Sequence, residues 1–434
     1  MVKRLVGFLF SRALTVPTPR VVTGAGAVSQ VGGVLKSMGC KKPLVVTDAV
    51  LVKMGLVKGC IDSISNAGFK HEVFDEVVPN PTADSVEKGF ELYRKSDCDS
   101  IVALGGGSPM DVAKVIGAKV ANPKPVESYK GFFQVTLFGW RPLPPVVAIP
   151  TTAGTGSETT VAAVITLPAE HAKAAIADLG LVPLVAVLDP EVLLKLPKGV
   201  TAATGMDALT HAIESFLSGW ASSITRTHSL SAVESIFKHL IESYNDGANL
   251  EARQNMLNAS FQAGLAFTRA GVGYVHAIAH QFGGMFGTAH GVANAMLLPY
   301  VLEYYLRDEG EGGSLSCTDR FCEIAKAGGL VENGHGNADS RRSIARNLVA
   351  RVSEMNAAMA IPKELDAMKA SHVNEVAARA LREAHGDCGL GQPFRYMLDL
   401  GYAVPKYMTH QDCTTIVARL LSAEEKSKWD AAVQ

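Results

Sequence analysis

The sequence predicts an α/β domain built on a parallel sheet, followed by an all-helical domain. The chain has 434 residues, and a length of this order favours two domains of roughly 200 residues each. From Thr15 to Leu188, short β-branched runs alternate with longer helical stretches, which is typical of an open parallel sheet. Beyond Pro197, alanine- and leucine-rich helical periodicity replaces the strand pattern. We therefore place an α/β domain at residues 15–192 and a helical domain at residues 193–434.

The composition excludes several classes of protein. With 41 basic and 42 acidic residues, a net charge of -1 and no basic run, the chain is not expected to bind nucleic acid. No apolar run reaches the ~18 residues of a membrane span, so no membrane partner is expected. The seven cysteines are scattered and form no Cys-x-x-Cys pair, which indicates free thiols in a reducing compartment.

The amino-terminal segment, residues 1–14, has the features of a targeting arm. No acidic residue precedes Asp48, whereas Lys3, Arg4 and Arg12 are basic. On a helix, the apolar residues of this segment gather on one side and the basic residues lie largely on the other. This pattern favours an organellar transit peptide, and an ordinary basic arm is the alternative. The expected location is mitochondrial or cytoplasmic.

A glycine-rich junction follows the strand predicted at Asp99 to Leu104. Three glycines let backbone amides approach a ligand closely, Ser108 is placed to cap the next helix, and Pro109 fits its first position. The amino end of that helix is then an anion site suited to a pyrophosphate. A simple tight turn is the alternative, and the common Gly-x-Gly-x-x-Gly order is absent. The glycines are Gly105, Gly106 and Gly107.

Other strand ends carry further candidates for nucleotide contacts. Asp48 ends the strand Lys42 to Thr47, where a carboxylate can accept the hydroxyls of an adenosine ribose or, equally, cap the following helix. Asn80 lies in a turn between two prolines, which stiffen the turn and hold Asn80 in one direction. The strand ending at Pro150 leads into small hydroxyl residues that can hydrogen-bond phosphate or a nicotinamide amide, among them Thr151 and Thr152.

Histidines concentrate in the second half of the chain. His276 and His280 are four residues apart, so a helix would project them from one face. Asp207 and His211 show the same spacing on another predicted helix. We predict that Gly283, Gly284 and Gly287 break the helical run, so that the chain turns before a third histidine, His290.

A carboxylate with several imidazoles is a ligand set for a borderline divalent ion. Such a site can keep an open position for a substrate oxygen. An ion there would favour loss of the hydroxyl proton of an alcohol, after which hydride can pass to a nicotinamide. An isolated i, i+4 histidine pair is more often structural, and the second fragment on another helix is what favours the metal interpretation.

Four segments resemble the motifs of the iron-containing, or group III, alcohol dehydrogenases. The likeness runs in colinear order from about Val16 to Pro299 and weakens afterwards, where Gln392-Pro393 replaces the usual asparagine-proline. The segments are GGGSPMDVAK (105–114), PTTAGTGSE (150–158), TGMDALTHAIE (204–214) and GYVHAIAHQFGGMFGTAHGVANAMLLP (273–299).

The resemblance implies roles for the histidines and their neighbours. Asp207, His211, His276 and His290 match the positions that bind the divalent ion, usually iron and in some members zinc. His280 matches a histidine that is not a ligand, lies near the nicotinamide and relays the substrate proton. The implied architecture is that of dehydroquinate synthase, and a homodimer or larger homo-oligomer is usual in the family.

The resemblance also implies cofactor and substrate contacts. Asp48 matches an acidic residue that accepts the ribose hydroxyls, which favours NAD over NADP. Phe267 matches an aromatic residue that often lines the substrate pocket, although a core role is the alternative. The other cofactor-contacting positions correspond to Asn80, Gly105, Gly106, Gly107, Ser108, Thr151, Thr152 and Lys173.

We therefore expect a metal-dependent oxidoreductase, with Fe²⁺ or Zn²⁺, that transfers hydride between a small alcohol or aldehyde and NAD(H). One alternative is a hydroxyacid-oxoacid transhydrogenase, a mitochondrial branch of the same family in which NAD stays bound. The amphipathic amino terminus favours that alternative. A dehydroquinate synthase-like lyase is a further alternative, against which the complete Asp-His-His-His set argues. A metal-binding protein without catalytic activity is the remaining one.

Overall fold

The computed structural model describes residues 15–136, 142–167, 172–307, 317–331, 338–386 and 401–433. The predicted arm at residues 1–14 lies outside the described residues, as do Cys388, Gln392 and Pro393. The chain forms two compact units. The α/β unit comprises Thr15–Leu196 and Asp246–Thr268, and the helical unit comprises Pro197–Asn245 and the residues from Arg269 onward.

The α/β unit contains a six-stranded sheet whose paired strands are all parallel, in the order β1-β9-β6-β4-β2-β3. A three-stranded sheet of order β5-β8-β7 contains an antiparallel pair, β7 with β8. The strands are β1 Arg20–Thr23, β2 Pro43–Val46, β3 Glu72–Phe74, β4 Ser100–Gly105, β5 Gly131–Phe132, β6 Val146–Pro150, β7 Ala162–Leu167, β8 Ala172–Ala177 and β9 Val185–Leu188.

The central strands read as continuous apolar runs because helices cover both faces of a parallel sheet. Every residue of β2, β4, β6 and β9 is buried. Strands β2, β4 and β6 confirm the strands predicted at Lys42 to Thr47, at Asp99 to Leu104 and up to Pro150. The helices of this unit are α1 Val31–Ser37, α2 Ala49–Lys53, α3 Lys58–Asn66, α4 Ala83–Lys95 and α5 Gly107–Ala121.

The sequence interpretation missed β1 and the β7-β8 hairpin. Strand β1 lies at the edge of the main sheet and is largely exposed, so it lacks the apolar signature of the central strands. Strand β8 is rich in alanine, which has low strand propensity, and β7 carries most of the β-branched residues of the pair.

The helical unit follows the predicted change of pattern after Pro197. Its helix α6, Lys198–Leu217, is buried along nearly its whole length. The remaining helices of the described chain are α7 Ser223–Asn245, α8 Leu250–Ala270, α9 Tyr274–Phe286, α10 His290–Leu306, α11 Cys317–Ala327, α12 Ala338–Ala358, α13 Val373–Ala384, α14 His410–Ala418 and α15 Ala423–Val433. None of the helices in the described ranges is long and apolar enough to cross a membrane. The six described cysteines are free thiols, as predicted.

Most of helix α8 belongs to the α/β unit, whereas the sequence interpretation placed all of residues 193–434 in the helical domain. A Cβ atom built at Gly264 would lie 3.0 Å from the carbonyl oxygen of Gly156, so this helix approaches the backbone of the α/β unit closely. The Thr268 hydroxyl also accepts a hydrogen bond from the Val161 amide at 3.0 Å. Helical periodicity identifies such a helix but does not reveal what the helix packs against.

Candidate metal centre and nucleotide loops

The helical unit brings together the carboxylate and three imidazoles that the sequence singled out. One ligand atom from each of Asp207, His211, His276 and His290 lies within 4.8 Å of the other three. Asp207 Oδ1 is 3.5 Å from Nε2 of His290, 3.8 Å from Nε2 of His276 and 4.0 Å from Nε2 of His211. One carboxylate oxygen and three imidazole nitrogens fit a divalent ion such as Fe²⁺ or Zn²⁺.

Three helices present these four side chains. Helix α6 carries Asp207 and His211 one turn apart, which confirms their predicted placement on one face. Helix α9 carries His276. His290 is the first residue of helix α10.

The predicted break at the glycines after His280 is wrong in part. Gly283 and Gly284 lie inside helix α9, and only Gly287 ends it, with a φ of 69° in the left-handed region. A helix tolerates internal glycines at a cost of about 0.5–1 kcal/mol each, because packing of the other residues outweighs that cost. The single left-handed residue is enough to redirect the chain towards His290.

A close backbone contact sets the position of His290. A Cβ atom built at Gly291 would lie 2.3 Å from the carbonyl oxygen of Ala203 in helix α6. Only glycine therefore allows α10 to approach α6 at this point. The approach places His290 beside Asp207.

Asn294 completes the cluster and was missed in the sequence. Its Nδ2 lies 2.7 Å from Oδ1 of Asp207, 3.2 Å from Nε2 of His276 and 3.1 Å from Nε2 of His290. The side-chain amide of Asn294 thus donates towards the same ligand atoms that would coordinate a cation. The Asn294 carbonyl oxygen is buried and has no hydrogen-bond partner among the described residues. The spacing of four residues from His290 was the available signal.

Glu214 fixes the orientation of His276. Its Oε2 lies 2.6 Å from Nδ1 of His276, and its two oxygens accept backbone N–H groups of Gly273 at 2.8 Å and Val275 at 2.7 Å. A carboxylate accepts, so Nδ1 of His276 carries the hydrogen and Nε2 presents its lone pair to the cluster. Burial raises the pKa of Glu214 to about 7, while the hydrogen bonds from Gly273, Val275 and His276 oppose this rise and favour the ionised, accepting form. Burial and the neighbouring imidazoles hold the pKa of His276 well below its ordinary value, which favours the neutral form that metals bind.

Glu214→Gln should weaken metal binding about 10- to 100-fold, as is typical when the outer partner of a ligating histidine is lost. The amide would turn its NH₂ group towards one of three donors, those of Gly273, Val275 and His276. Competition with a metal-indicator dye measures the affinity. Glu234→Gln, at an exposed position of helix α7, is the control. Equal affinities of the two variants would contradict this role.

His280 lies outside the four-ligand set but next to it. Its ring stacks on that of His290 with a centroid distance of 5.3 Å and an interplanar angle of 16°. The ring also meets that of His276 edge to face at 6.0 Å. Nδ1 of His280 is 2.6 Å from Oε1 of Glu383 in helix α13. No local pattern in the sequence could have linked these two residues, which are 103 positions apart.

In the α/β unit, the glycine-rich junction lies at the carboxyl end of β4. The predicted caps are wrong, because helix α5 begins at Gly107 with Gly106 as N-cap and with no side-chain cap. Ser108 and Pro109 are therefore the second and third helical residues. Gly105 adopts a φ of 158°, and a Cβ atom built there would lie 2.5 Å from Cγ of Pro109, so this position favours glycine. Backbone N–H groups at this amino end remain suited to an anion.

The small hydroxyl residues that follow the strand ending at Pro150 lie beside these glycines. Strand β6 neighbours β4 in the sheet, and the Thr151 amide donates to the Gly105 carbonyl at 2.9 Å. A Cβ atom built at Gly106 would lie 3.4 Å from the Thr152 hydroxyl oxygen. Thr151, Thr152 and the glycines therefore form one surface at the carboxyl edge of the sheet, where open α/β sheets bind ligands.

A buried lysine of helix α5 binds the segment that follows Thr152. Nζ of Lys114 donates to the Ser157 hydroxyl at 3.0 Å, to the hydroxyl and carbonyl of Thr160 at 2.8 and 3.0 Å, and to the Ala162 carbonyl at 2.9 Å. The Ser157 hydroxyl in turn donates to Asp111 at 3.0 Å. Burial lowers the pKa of Lys114 to about 8. These bonds tie the segment after Thr152 to the helix that begins at the glycines.

Lys114→Met should lower the free energy of unfolding by about 1–3 kcal/mol, because it leaves buried hydroxyl and carbonyl acceptors without their donor. It should also weaken NAD binding, because the loop that carries Thr152 loses its anchor. Thermal unfolding and nucleotide fluorescence titration measure the two effects. Lys119→Met is the matched control on the same helix, since Lys119 is buried and bonds to Glu87. A stability loss in both variants with equal NAD affinity would contradict the loop's role.

The remaining predicted cofactor residues occupy separate places in the α/β unit. Asp48 caps helix α2, and its Oδ1 accepts the amides of Val50 and Leu51 at 2.9 Å each. Asn80 has a positive φ of 54°, and its Oδ1 accepts a hydrogen bond from Lys173 at 2.8 Å. The structure thus brings Asn80 and Lys173 together. Their roles and that of Asp48 towards a nucleotide stay predictions.

Phe267 is half-buried on helix α8, in the part of that helix that belongs to the α/β unit. Its predicted place in a substrate pocket stays a prediction.

A glycine-rich loop at the carboxyl edge of a parallel sheet and, in the helical unit, a cluster of four metal-ligating side chains are the features expected of a metal-dependent dehydrogenase. Comparison with known proteins agrees. The family model "Iron-containing alcohol dehydrogenase" matches residues 17–190, and the model of the C-terminal domain of the same family matches residues 201–399. The chain belongs to the iron-containing alcohol dehydrogenase family. The predicted family and its oxidoreductase activity are confirmed.

Several relatives are similar over most of their length. An NAD-dependent methanol dehydrogenase of Bacillus methanolicus is 39% identical over 79% of this chain and 86% of its own. A 1,3-propanediol dehydrogenase of Citrobacter freundii is 41% identical over 79% of this chain and 85% of its own. The crystal structure of a 1,3-propanediol oxidoreductase superposes with a TM-score of 0.83 at 35% identity and covers 94% of this chain and 99% of its own. The predicted two-part fold is confirmed.

Proposed function

We propose that this protein is an NAD-linked dehydrogenase of small alcohols, and the corresponding aldehyde reductase, with Fe²⁺ or Zn²⁺ as its metal. The observation that carries the proposal is the cluster of one carboxylate and three imidazoles within 4.8 Å. Relatives that act on methanol and 1,3-propanediol support a small alcohol as substrate.

Four side chains of the helical unit would hold the metal ion that the reaction needs. A divalent ion supplies Lewis-acid chemistry, which lowers the pKa of an alcohol hydroxyl beside it. Asp207, His211, His276 and His290 would hold that ion, and Glu214 keeps His276 oriented towards it. The hydroxyl proton must leave before hydride can transfer.

His280 would accept the substrate proton. It is the imidazole beside the cluster that the four-ligand set does not include, and its side chain is 38% exposed, so a substrate can reach it. General acid–base catalysis of this kind contributes about 10²–10⁴-fold in rate.

NAD would bind along the carboxyl edge of the main sheet. Its pyrophosphate would meet the backbone amides at Gly106 and Gly107, beside Thr152. Asp48 lies at the end of the neighbouring strand β2 and uses Oδ1 for its capping bonds, so Oδ2 would face the ribose hydroxyls. A 2′-phosphate there would meet like charge, which favours NAD over NADP.

The proposal is tested with a panel of alcohols, aldehydes and hydroxyacids, each with NAD and with NADP. The protein is reconstituted anaerobically with Fe²⁺ or Zn²⁺. We expect NADH to form from a short alcohol in proportion to the aldehyde produced. Absence of turnover with either metal would overturn the proposal. Hydride exchange between a hydroxyacid and an oxoacid without free NADH would instead identify the transhydrogenase.

The expected homo-oligomeric state and the mitochondrial or cytoplasmic location remain part of the proposal. Light scattering of the purified protein would measure the first. Imaging of the full chain and of a variant without residues 1–14, each fused to a fluorescent protein at the carboxyl end, would test the second. Equal distributions of the two would contradict a targeting role for that segment.

A further inference from the structure

His280 is held by a carboxylate from a distant helix. Oε1 of Glu383 lies 2.6 Å from Nδ1 of His280, and the same oxygen accepts a hydrogen bond from the Tyr402 hydroxyl at 2.6 Å. Oε2 accepts the side-chain amide of Gln281 at 2.9 Å. Three donors therefore converge on one carboxylate. Glu383 has little freedom to rotate away from the imidazole.

The carboxylate also fixes which nitrogen of His280 carries the hydrogen. A carboxylate has only acceptor atoms, so Nδ1 must donate to it. In the neutral ring, Nε2 then carries the lone pair, which is the atom that can take a proton. Burial alone would raise the pKa of Glu383, but His280 and the hydrogen bonds hold that pKa below its ordinary value. Glu383 therefore stays a charged acceptor.

The geometry points to Glu383 as a positioning residue for the reaction: it holds His280 in the tautomer whose Nε2 accepts the substrate proton. This inference rests on the proposed function, in which His280 receives that proton. The arrangement parallels the acid–histidine pair of hydrolytic triads, in which the carboxylate selects the tautomer without taking the proton itself. Tyr402 and Gln281 each donate a hydrogen bond to the carboxylate and so support its position.

Helix α13 presents Glu383 to His280. Its buried positions, Val373, Val376, Ala377, Ala380 and Ala384, form the stripe that anchors it. Glu383 lies beside this stripe at the carboxyl end of the helix. Glu375, one of the exposed residues of the same helix, pairs with Arg379 at 2.6 Å and serves as a matched control.

The test uses the full chain loaded with Zn²⁺, which is diamagnetic, and histidine labelled with ¹⁵N in the ring. Comparison with a His280→Asn variant assigns the His280 signals. We expect wild-type His280 and that of Glu375→Leu to show a protonated Nδ1 and an unprotonated Nε2. Glu383→Leu keeps the side-chain volume without an acceptor and should shift His280 towards the opposite tautomer. An unchanged tautomer in Glu383→Leu would overturn the inference.

Kinetics provide the second readout. Glu383→Leu should lower kcat at least about tenfold, up to the 10²–10⁴-fold that acid–base catalysis supplies. KM and zinc content should stay at wild-type values, and Glu383→Asp should recover part of kcat. A fall in zinc content together with kcat would overturn the inference, because Glu383 would then be holding the cluster together. If Glu383→Leu does not fold, Glu383→Ala replaces it with the same readouts.

The two proposals fail in different ways. If wild-type protein forms no NADH but its His280 tautomer depends on Glu383, the positioning role stands and the proposed function falls. If NADH forms and the tautomer is independent of Glu383, the proposed function stands and the positioning role falls.

Discussion

His276→Ala is expected to abolish both metal retention and NADH formation. His276 is 2% exposed and supplies one of the four ligand atoms of the cluster. Lewis-acid stabilisation is worth several kcal/mol, and about 1.4 kcal/mol corresponds to tenfold in rate. We therefore expect kcat/KM to fall at least about 10³-fold. Mass spectrometric metal analysis after dialysis and NADH absorbance measure the two losses.

His410→Ala is the control for this prediction. His410 is an exposed histidine at the start of helix α14, and its ring bonds only weakly, at 3.4 Å, to the Asn374 carbonyl. Its replacement should leave metal content and activity at wild-type values. Activity of His276→Ala without bound metal would show that the cluster does not take part in the chemistry.

Gly291→Ala is expected to separate helix α10 from helix α6 and to weaken both folding and metal binding. The new Cβ would lie 2.3 Å from the carbonyl oxygen and 2.7 Å from the carbonyl carbon of Ala203. Both are backbone atoms of a buried helix, so one helix must move. Overpacking of this kind costs about 1–3 kcal/mol. Because His290 is the adjacent residue, the shift should also move its Nε2 away from Asp207 and lower the metal affinity.

Gly284→Ala is the matched comparison. Gly284 lies inside helix α9, and a Cβ there would meet nothing within 4 Å. Alanine at such a position should raise the free energy of unfolding by about 0.5–1 kcal/mol. Urea unfolding and metal titration of both variants test the contrast. Equal stability of Gly291→Ala and wild type would mean that α10 does not need this close approach.

Much of the fold followed from local patterns. The central strands could be predicted because both faces of a parallel sheet are buried and the strands are therefore continuously apolar. The helix pattern after Pro197 was equally clear. Edge strand β1 and the pair β7-β8 were missed, because β1 is largely exposed and β8 is rich in alanine, so neither shows a buried apolar run.

The start of helix α5 and the course of helix α9 show a second limit. Side-chain rules favoured Ser108 as a cap and three glycines as a break. In the structure, α5 starts earlier, at Gly107, and α9 continues through Gly283 and Gly284. Propensity differences of about 1 kcal/mol per residue are small enough for packing to override.

The sequence by itself determined which four side chains could bind a metal ion together, namely Asp207, His211, His276 and His290. The spacing of Asp207 and His211 requires one helix face, because residues four apart lie one turn above each other. Four motifs in one order then indicated the same family that the comparisons show.

Only the tertiary structure decided which residues contact these four side chains and the neighbouring His280. Glu214 meets His276 across 62 positions of the chain and Glu383 meets His280 across 103, while glycine at 291 sets the distance between two helices. Spacing along a helix can place ligands on one face, but hydrogen bonds between helices depend on how their faces pack. The orientation of each imidazole, and with it the tautomer of both His276 and His280, is a property of that packing.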